Sequence, residues 1–196
     1  MAPAVVTTSP LVRRYTLAEF WDLPPPPGGG HYDLIGGILY MVPPPGAPHN
    51  EAISRLIMCL AAFLLANRGL GKLYVPRTPI WIEENTYLEP DLFYVCMNRL
   101  PPGGIGDLHS ADLVIEAFTR ETAVYDRQTK ADTYAALGVR ELWLVDLSRH
   151  EIEQRILEAG AWRVRTTAKP GETLQAEVLP GFTVNVGDLF AGLPRE

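Results

Sequence analysis

This chain has almost no cysteine, no apolar run long enough to cross a bilayer, and no surplus of basic residues. Its two cysteines, Cys59 and Cys96, both sit inside apolar stretches. That excludes a disulfide framework or a zinc cluster and suits small core residues in a reducing compartment. The longest apolar stretch, around Leu56 to Ala66, is broken by polar neighbours and falls short of the roughly 20 residues a spanning helix needs. Met1 to Thr8 has no charged segment leading into an apolar one, so no signal peptide is expected. There are 17 Lys+Arg against 23 Asp+Glu, a formal net charge of −6. This balance argues against a broad non-specific nucleic-acid footprint but leaves room for a local basic groove. The glycine run Gly103-Gly104-Ile105-Gly106 lacks the following helix and lysine of a phosphate loop. No zinc-ligand spacing or Ser/His/Asp order stands out. The expectation is a cytoplasmic protein with no membrane association. Its 196 residues, 47% hydrophobic, suit one main domain with a substantial core.

What is present is an alternation of short apolar strands and helices. Residues 1–30 read as an N-terminal arm, a short helix opened by the capping box Thr16-Leu17-Ala18-Glu19, and a Pro/Gly linker from Pro24 to Gly30. Residues 31–196 read as a single domain. Tyr32–Ile35 and Ile38–Val42 around Gly36-Gly37 give a two-residue hairpin signal. After the stiff Pro43–Pro48 connection, Ile53, Leu56, Ile57, Leu60, Phe63 and Leu64 recur at helical spacing from Asn50 to Gly69. Strands are expected at 73–75, 80–82, 91–96, 112–118 and 141–146, with a helix over 123–137. Strand, helix and strand across 112–146 form a βαβ unit with a right-handed crossover. Short antiparallel strands at 151–157, 162–167 and 174–179 follow, and 184–190 closes the chain. The fold class is α/β: a central mixed β-sheet flanked by helices, with extra antiparallel strands at the C-terminus. Those apolar C-terminal strands suggest an interface for a homo-oligomer, a dimer first.

One residue breaks the apolar pattern. Glu116 lies inside Leu113-Val114-Ile115-Glu116-Ala117-Phe118, where a bare carboxylate is costly unless a positive group meets it. Asp91 heads another apolar run. If these two strands pair, both carboxylates can point to one side. Like charges that close raise each other's pKa unless a cation neutralises them. An oxygen-only site of this kind suits Mg²⁺ or Mn²⁺, with a substrate phosphate completing the shell. Lys130 follows on the next helix, four residues after Asp126 and on the same face. There it can orient an attacking water or stabilise charge on a phosphate. Blander readings stand beside these. Glu116 can form a structural ion pair with Arg140 or Arg120. Asp126 with Lys130 can be an ordinary exposed pair. His49 reads as a cap or surface group, and Asp33 is a hairpin acid divided between solvent and site.

Several blocks, in order, resemble the Uma2 family of restriction-endonuclease-like proteins. They are Tyr32-Asp33-Leu34-Ile35-Gly36-Gly37, the prolines before His49, Pro90-Asp91-Leu92, Leu113-Val114-Ile115-Glu116, and Asp126-Arg127-Gln128-Thr129-Lys130 through Gly138–Asp146. The resemblance spans roughly residues 15–190. It implies a restriction-endonuclease-like PD-(D/E)XK core and a divalent-metal-dependent endonuclease hydrolysing DNA phosphodiesters. Asp91 and Glu116 match the two strand acids of that core. Lys130 matches the catalytic lysine, carried on the following helix because Phe118 occupies its usual strand position. Asp126 and Asp33 match accessory acids, Asp33 standing where the family often has glutamate. The Ala117 backbone carbonyl would be a further metal ligand by analogy. The alternative is a catalytically inert module of the same fold, acting in binding or oligomeric assembly.

Overall fold

The computed structural model describes residues 12–82 and 85–195. The expected N-terminal arm lies mostly outside them. The chain divides into two compact units: Met1–Pro44 with Ile82–Tyr87, and Pro45–Trp81 with Leu88–Glu196.

In the first unit the expected capping box is present. The Thr16 hydroxyl accepts from the Glu19 N–H, and the Glu19 carboxylate accepts from the Thr16 N–H, opening α1 (Leu17–Trp21). The hairpin is β1 (His31–Ile35) and β2 (Ile38–Val42), with Ile35 opposite Ile38. Gly36 and Gly37 take φ of 56° and 81°, positive at both central positions, which glycine adopts without steric cost. β5 (Thr86–Leu88), unforeseen in the sequence, lies antiparallel beside β1.

The second unit is built on a six-stranded mixed sheet. Its strands are β3 (Gly71–Tyr74), β6 (Leu92–Cys96), β7 (Leu113–Phe118), β8 (Glu141–Asp146), β9 (Glu151–Glu158) and β10 (Ala161–Ala168). Their order is β10-β9-β8-β7-β6-β3. Only β7 and β8 run parallel; the other pairs are antiparallel. Every residue of β7 and β8 is buried, as expected for a parallel pair covered on both faces. The connection between them is the expected βαβ crossover. β4 (Ile80–Ile82) stands where the chain passes between units.

Alternation along the strands sorts the two faces. Leu113, Ile115 and Ala117 of β7, Leu92 and Tyr94 of β6, and Trp143 and Val145 of β8 join one core with Ala52, Ile53, Leu56 and Leu60 of α2 (Ala47–Ala66). Glu116 therefore belongs to the other face, with Val114 and Phe118. α2 starts three residues earlier than the spacing suggested. Pro48 fits its first turn, where a missing N–H costs nothing, so His49 is part of the helix and does not precede it. Contrary to the expectation that no apolar segment is long enough, α2 could span a membrane by length and composition, yet four of its side chains are core and Arg55 reaches the carbonyls of Asp188, Leu189 and Ala191.

The crossover helix also differs from a single α-helix over 123–137. It is a π-helix (Tyr125–Lys130) running into α3 (Ala131–Ala136), stopped by Gly138 at φ 74°. After β10 the described residues add β11 (Thr173–Gln175), β12 (Thr183–Asn185) and a short α4 (Val186–Phe190). The expected last strand is thus half helix. Asn185 caps it, its side chain accepting from the Asp188 N–H.

Candidate metal and phosphodiester site

β6 and β7 place the two strand acids together. Leu92 lies opposite Ile115, so extending the register by one residue sets Asp91 opposite Glu116, pointing to the same face. Their bonds interlock. Glu116 Oε2 accepts from the Asp91 N–H at 3.4 Å, and Asp91 Oδ2 accepts from the Ala117 N–H at 2.9 Å. Asp91 does not turn out to solvent after Pro90; its side chain is only 20% exposed.

The crossover supplies the positive charge. Lys130 Nζ donates to Glu116 Oε1 at 3.1 Å and stands 3.7 Å from Asp126 Oδ1. The π-helix, a form often found at functional sites, therefore holds Asp126 and Lys130 over the sheet. Both are buried, so this is not the exposed surface pair that their spacing alone allows. Tyr134, one turn further along, donates its hydroxyl proton to Glu116 Oε1. Arg140 does not pair with Glu116. With Arg99 it meets Asp112 instead, at 3.0 and 2.8 Å.

His49 corrects the sequence reading. It is neither a cap nor a surface group: its Nε2 lies 2.9 Å from Asp91 Oδ2. Its Nδ1 is buried without a hydrogen-bond partner among the described residues. Forty-two residues separate His49 from Asp91, and no local pattern joins them. Tyr134 was foreseeable on the helix face shared with Asp126 and Lys130, but its role was not. Asp33 is fully buried in the other unit, 3.6 Å from His31 Nε2.

The electrostatics are those of a crowded acidic site. Burial pushes the Glu116 carboxyl well above its ordinary range. Lys130 opposes this, Asp91 and Asp126 reinforce it, Tyr134 opposes it, and the net shift is upward. Asp91 goes the other way. Burial would raise it, but the His49 hydrogen bond and charge, Lys130 and the Ala117 N–H outweigh burial and lower it. His49 is raised: burial works against its charged form, and the Asp91 carboxylate and Asp126 overcome that. Two adjacent carboxyls are thus pushed apart in pKa, a pattern common at functional sites.

The donor set fits a hard divalent cation. No group of three or more His, Cys, Asp and Glu side chains among the described residues is arranged as a metal cage. Mg²⁺ does not require one, since it is commonly held by one or two carboxylates, with waters and substrate phosphate filling the shell. Asp91 and Glu116 offer two carboxylates. The Ala117 carbonyl leaves its strand on the same side as the N–H that meets Asp91. Asp91, Glu116 and Asp126 gather carboxyl oxygens around the Lys130 ammonium, with His49 against Asp91.

Comparisons with known proteins bear on the fold and the family. No curated protein matches the chain. A crystal structure described as "a putative nuclease belonging to DUF820 from Anabaena variabilis ATCC 29413" is similar over 91% of this chain and 99% of that one. Its TM-score is 0.71 at 16% identity, which establishes a shared fold. A family model described as "Uma2: Putative restriction endonuclease" matches residues 17–187. The match covers well over half of the chain, and the chain belongs to the Uma2 family.

Proposed function

We propose that this protein is a divalent-metal-dependent endonuclease that hydrolyses DNA phosphodiester bonds, with Asp91, Glu116 and Lys130 as its catalytic residues. The observation that carries the proposal is the interlocked Asp91–Glu116 pair with the Lys130 ammonium seated against it. Asp91, Glu116 and the Ala117 carbonyl would hold Mg²⁺ or Mn²⁺. Such an ion supplies Lewis acidity to the phosphate and acidity to the attacking water.

The chain's own groups divide the remaining work. Lys130 offers N–H donors and a full charge where negative charge builds on the phosphoryl oxygens. Asp126, 3.7 Å away, keeps that ammonium over the sheet. Tyr134 fixes Glu116, and His49 with the Ala117 N–H fixes Asp91. In-line attack would displace the 3′ oxygen and leave a 5′-phosphate, as the family resemblance implies. The free cysteines Cys59 and Cys96 suit a reducing cytoplasm.

Titration calorimetry with Mn²⁺ on the wild type and Glu116→Ala tests the reading, together with incubation of plasmid, linear DNA and RNA with Mn²⁺. Saturable binding that is lost in the variant, with cleavage of DNA, is expected. Mn²⁺ binding indifferent to Glu116, or no cleavage by the wild type, would leave the fold as an inert binding or assembly module.

A further inference from the structure

Beyond the acidic site, the second unit holds a cleft of about 530 Å³ lined by Phe118, Arg120, Ala123, Arg127, Asp146, Ser148 and Arg149. It opens at the carboxyl ends of β7 and β8, the only parallel pair in the sheet. That is where open α/β sheets place their ligands. Three of its seven lining residues are arginines, in a chain whose net charge is −6. Its single lining acid is occupied. Asp146 Oδ1 accepts from the Ser148 N–H, the Ser148 hydroxyl and the Arg149 N–H, which shapes the turn that carries Arg149.

The arginines differ in freedom. Arg127 is committed: its guanidinium pairs with Glu153 and lies 5.7 Å over the Phe118 ring. Arg149 is not. Its side chain is 69% exposed, with Asp146 at 3.8 Å and Glu151 at 3.5 Å, contacts of little worth in water. Arg120 is exposed and meets no acid among the described residues. Arginine forks suit phosphate oxygens, which they grip with paired hydrogen bonds.

The cleft also adjoins the acids. Phe118 shares a face of β7 with Glu116, two residues away, and Arg127 follows Asp126 on the π-helix. Its volume far exceeds that of a single bound water, roughly 30 Å³, so it has room for a ligand larger than a simple ion. We infer that this arginine cleft is a binding site for the DNA sugar–phosphate backbone, with Arg120 and Arg149 gripping phosphates that flank the one at Glu116. The inference rests on the nuclease reading for its choice of ligand, but it can be tested without cleavage.

The test is fluorescence anisotropy of a labelled DNA duplex in EDTA over a salt series, with an RNA duplex of the same sequence in parallel. Each phosphate contact contributes about 0.9 to the slope of log affinity against log salt. The Arg120→Ala/Arg149→Ala variant should therefore bind more weakly, with a slope shallower by about two. Arg120→Lys/Arg149→Lys should keep most of the slope, because the charges remain. Both variants alter exposed side chains and should melt with the wild type. An unchanged slope in the alanine variant overturns the inference. So does a wild type that binds no DNA, or one whose arginine-dependent binding is confined to RNA. If the wild type cleaves nothing with Mn²⁺ yet loses slope with the two arginines, the cleft stands and the nuclease reading falls.

Discussion

Replacing Lys130 with Met probes the site without relying on activity. The ammonium is 3.1 Å from Glu116 Oε1 and 3.7 Å from Asp126 Oδ1, and all three side chains are buried. Methionine keeps the length of the stem, so the lost charge is the main change. Removing one partner of a buried ion pair costs about 3–5 kcal/mol. Here the lower end applies, because two routes soften the loss. Glu116 already tends towards its neutral form, and Tyr134 still donates to it. For a chain of this size about 3 kcal/mol corresponds to a melting shift of roughly 6–12 °C. Glu116→Gln should cost much less, since the amide oxygen can still accept from Tyr134 and Lys130 keeps Asp126. The double variant Lys130→Met/Glu116→Gln should recover a large part of the single-variant loss, because it leaves no bare carboxylate at position 116. Thermal melting of the four proteins at pH 7, followed by circular dichroism, closes the cycle. Lys130→Met melting within about 1–2 °C of wild type, or losses that simply add, would refute the buried pair and with it the physical basis of the site.

Two further outcomes follow from the same structure. His49→Ala removes the Nε2 contact to Asp91 but leaves the Ala117 N–H in place; Mn²⁺ affinity in calorimetry should fall about 10–100-fold with little change in melting, and an unaltered affinity would show that His49 does not hold Asp91. Asp112 accepts from Arg99, Arg140 and the Cys96 N–H; burial opposes its charge, but these partners overcome burial and lower its pKa. The folded pKa lies below the unfolded one, so its contribution is present above the ordinary aspartate value of 3.8 and is lost as pH falls through the folded value. Asp112→Asn should thus cost about 1.5 kcal/mol at pH 7, the low end because both guanidinium groups are partly in water. That difference should shrink in denaturation curves measured at progressively more acid pH, and a constant difference would be inconsistent with it.

The parts of this fold that were legible in the sequence are those dictated by local rules. The Thr16 capping box, the Gly36-Gly37 turn and the apolar period of α2 each need only neighbouring residues, and the structure has all three. The buried β7 and β8 were legible because a parallel strand covered on both faces has no polar side to show. The misses arise where distant partners decide. The π-helix at Tyr125–Lys130 departs from the α-helical spacing its sequence suggests, in the segment that brings Lys130 to Glu116. β5 pairs with β1 although the two are far apart in sequence. His49 looked like a helix-start residue because its partner lies on another element.

A carboxylate inside an apolar strand is a local inconsistency, and such inconsistencies tend to mark function. Two of the other buried acids in the second unit, Glu141 and Asp112, show what a purely structural solution looks like. Glu141 accepts from Trp143, Gln154 and the N–H groups of Glu177 and Val178, and Asp112 accepts from two arginines and a backbone N–H. Both are saturated by donors. Asp112's pKa is held down, and its charge is matched by two guanidinium groups. Glu116 is different in kind. It shares its surroundings with Asp91 and Asp126 against one lysine, its pKa is driven up, and His49 beside it keeps a buried nitrogen without a partner among the described residues. A structural ion pair gains nothing from two extra acids; they raise the cost of burying the first. A site that must receive a cation and a phosphate does gain from them, because the carboxyl oxygens can ligate the one and Lys130 can meet the other.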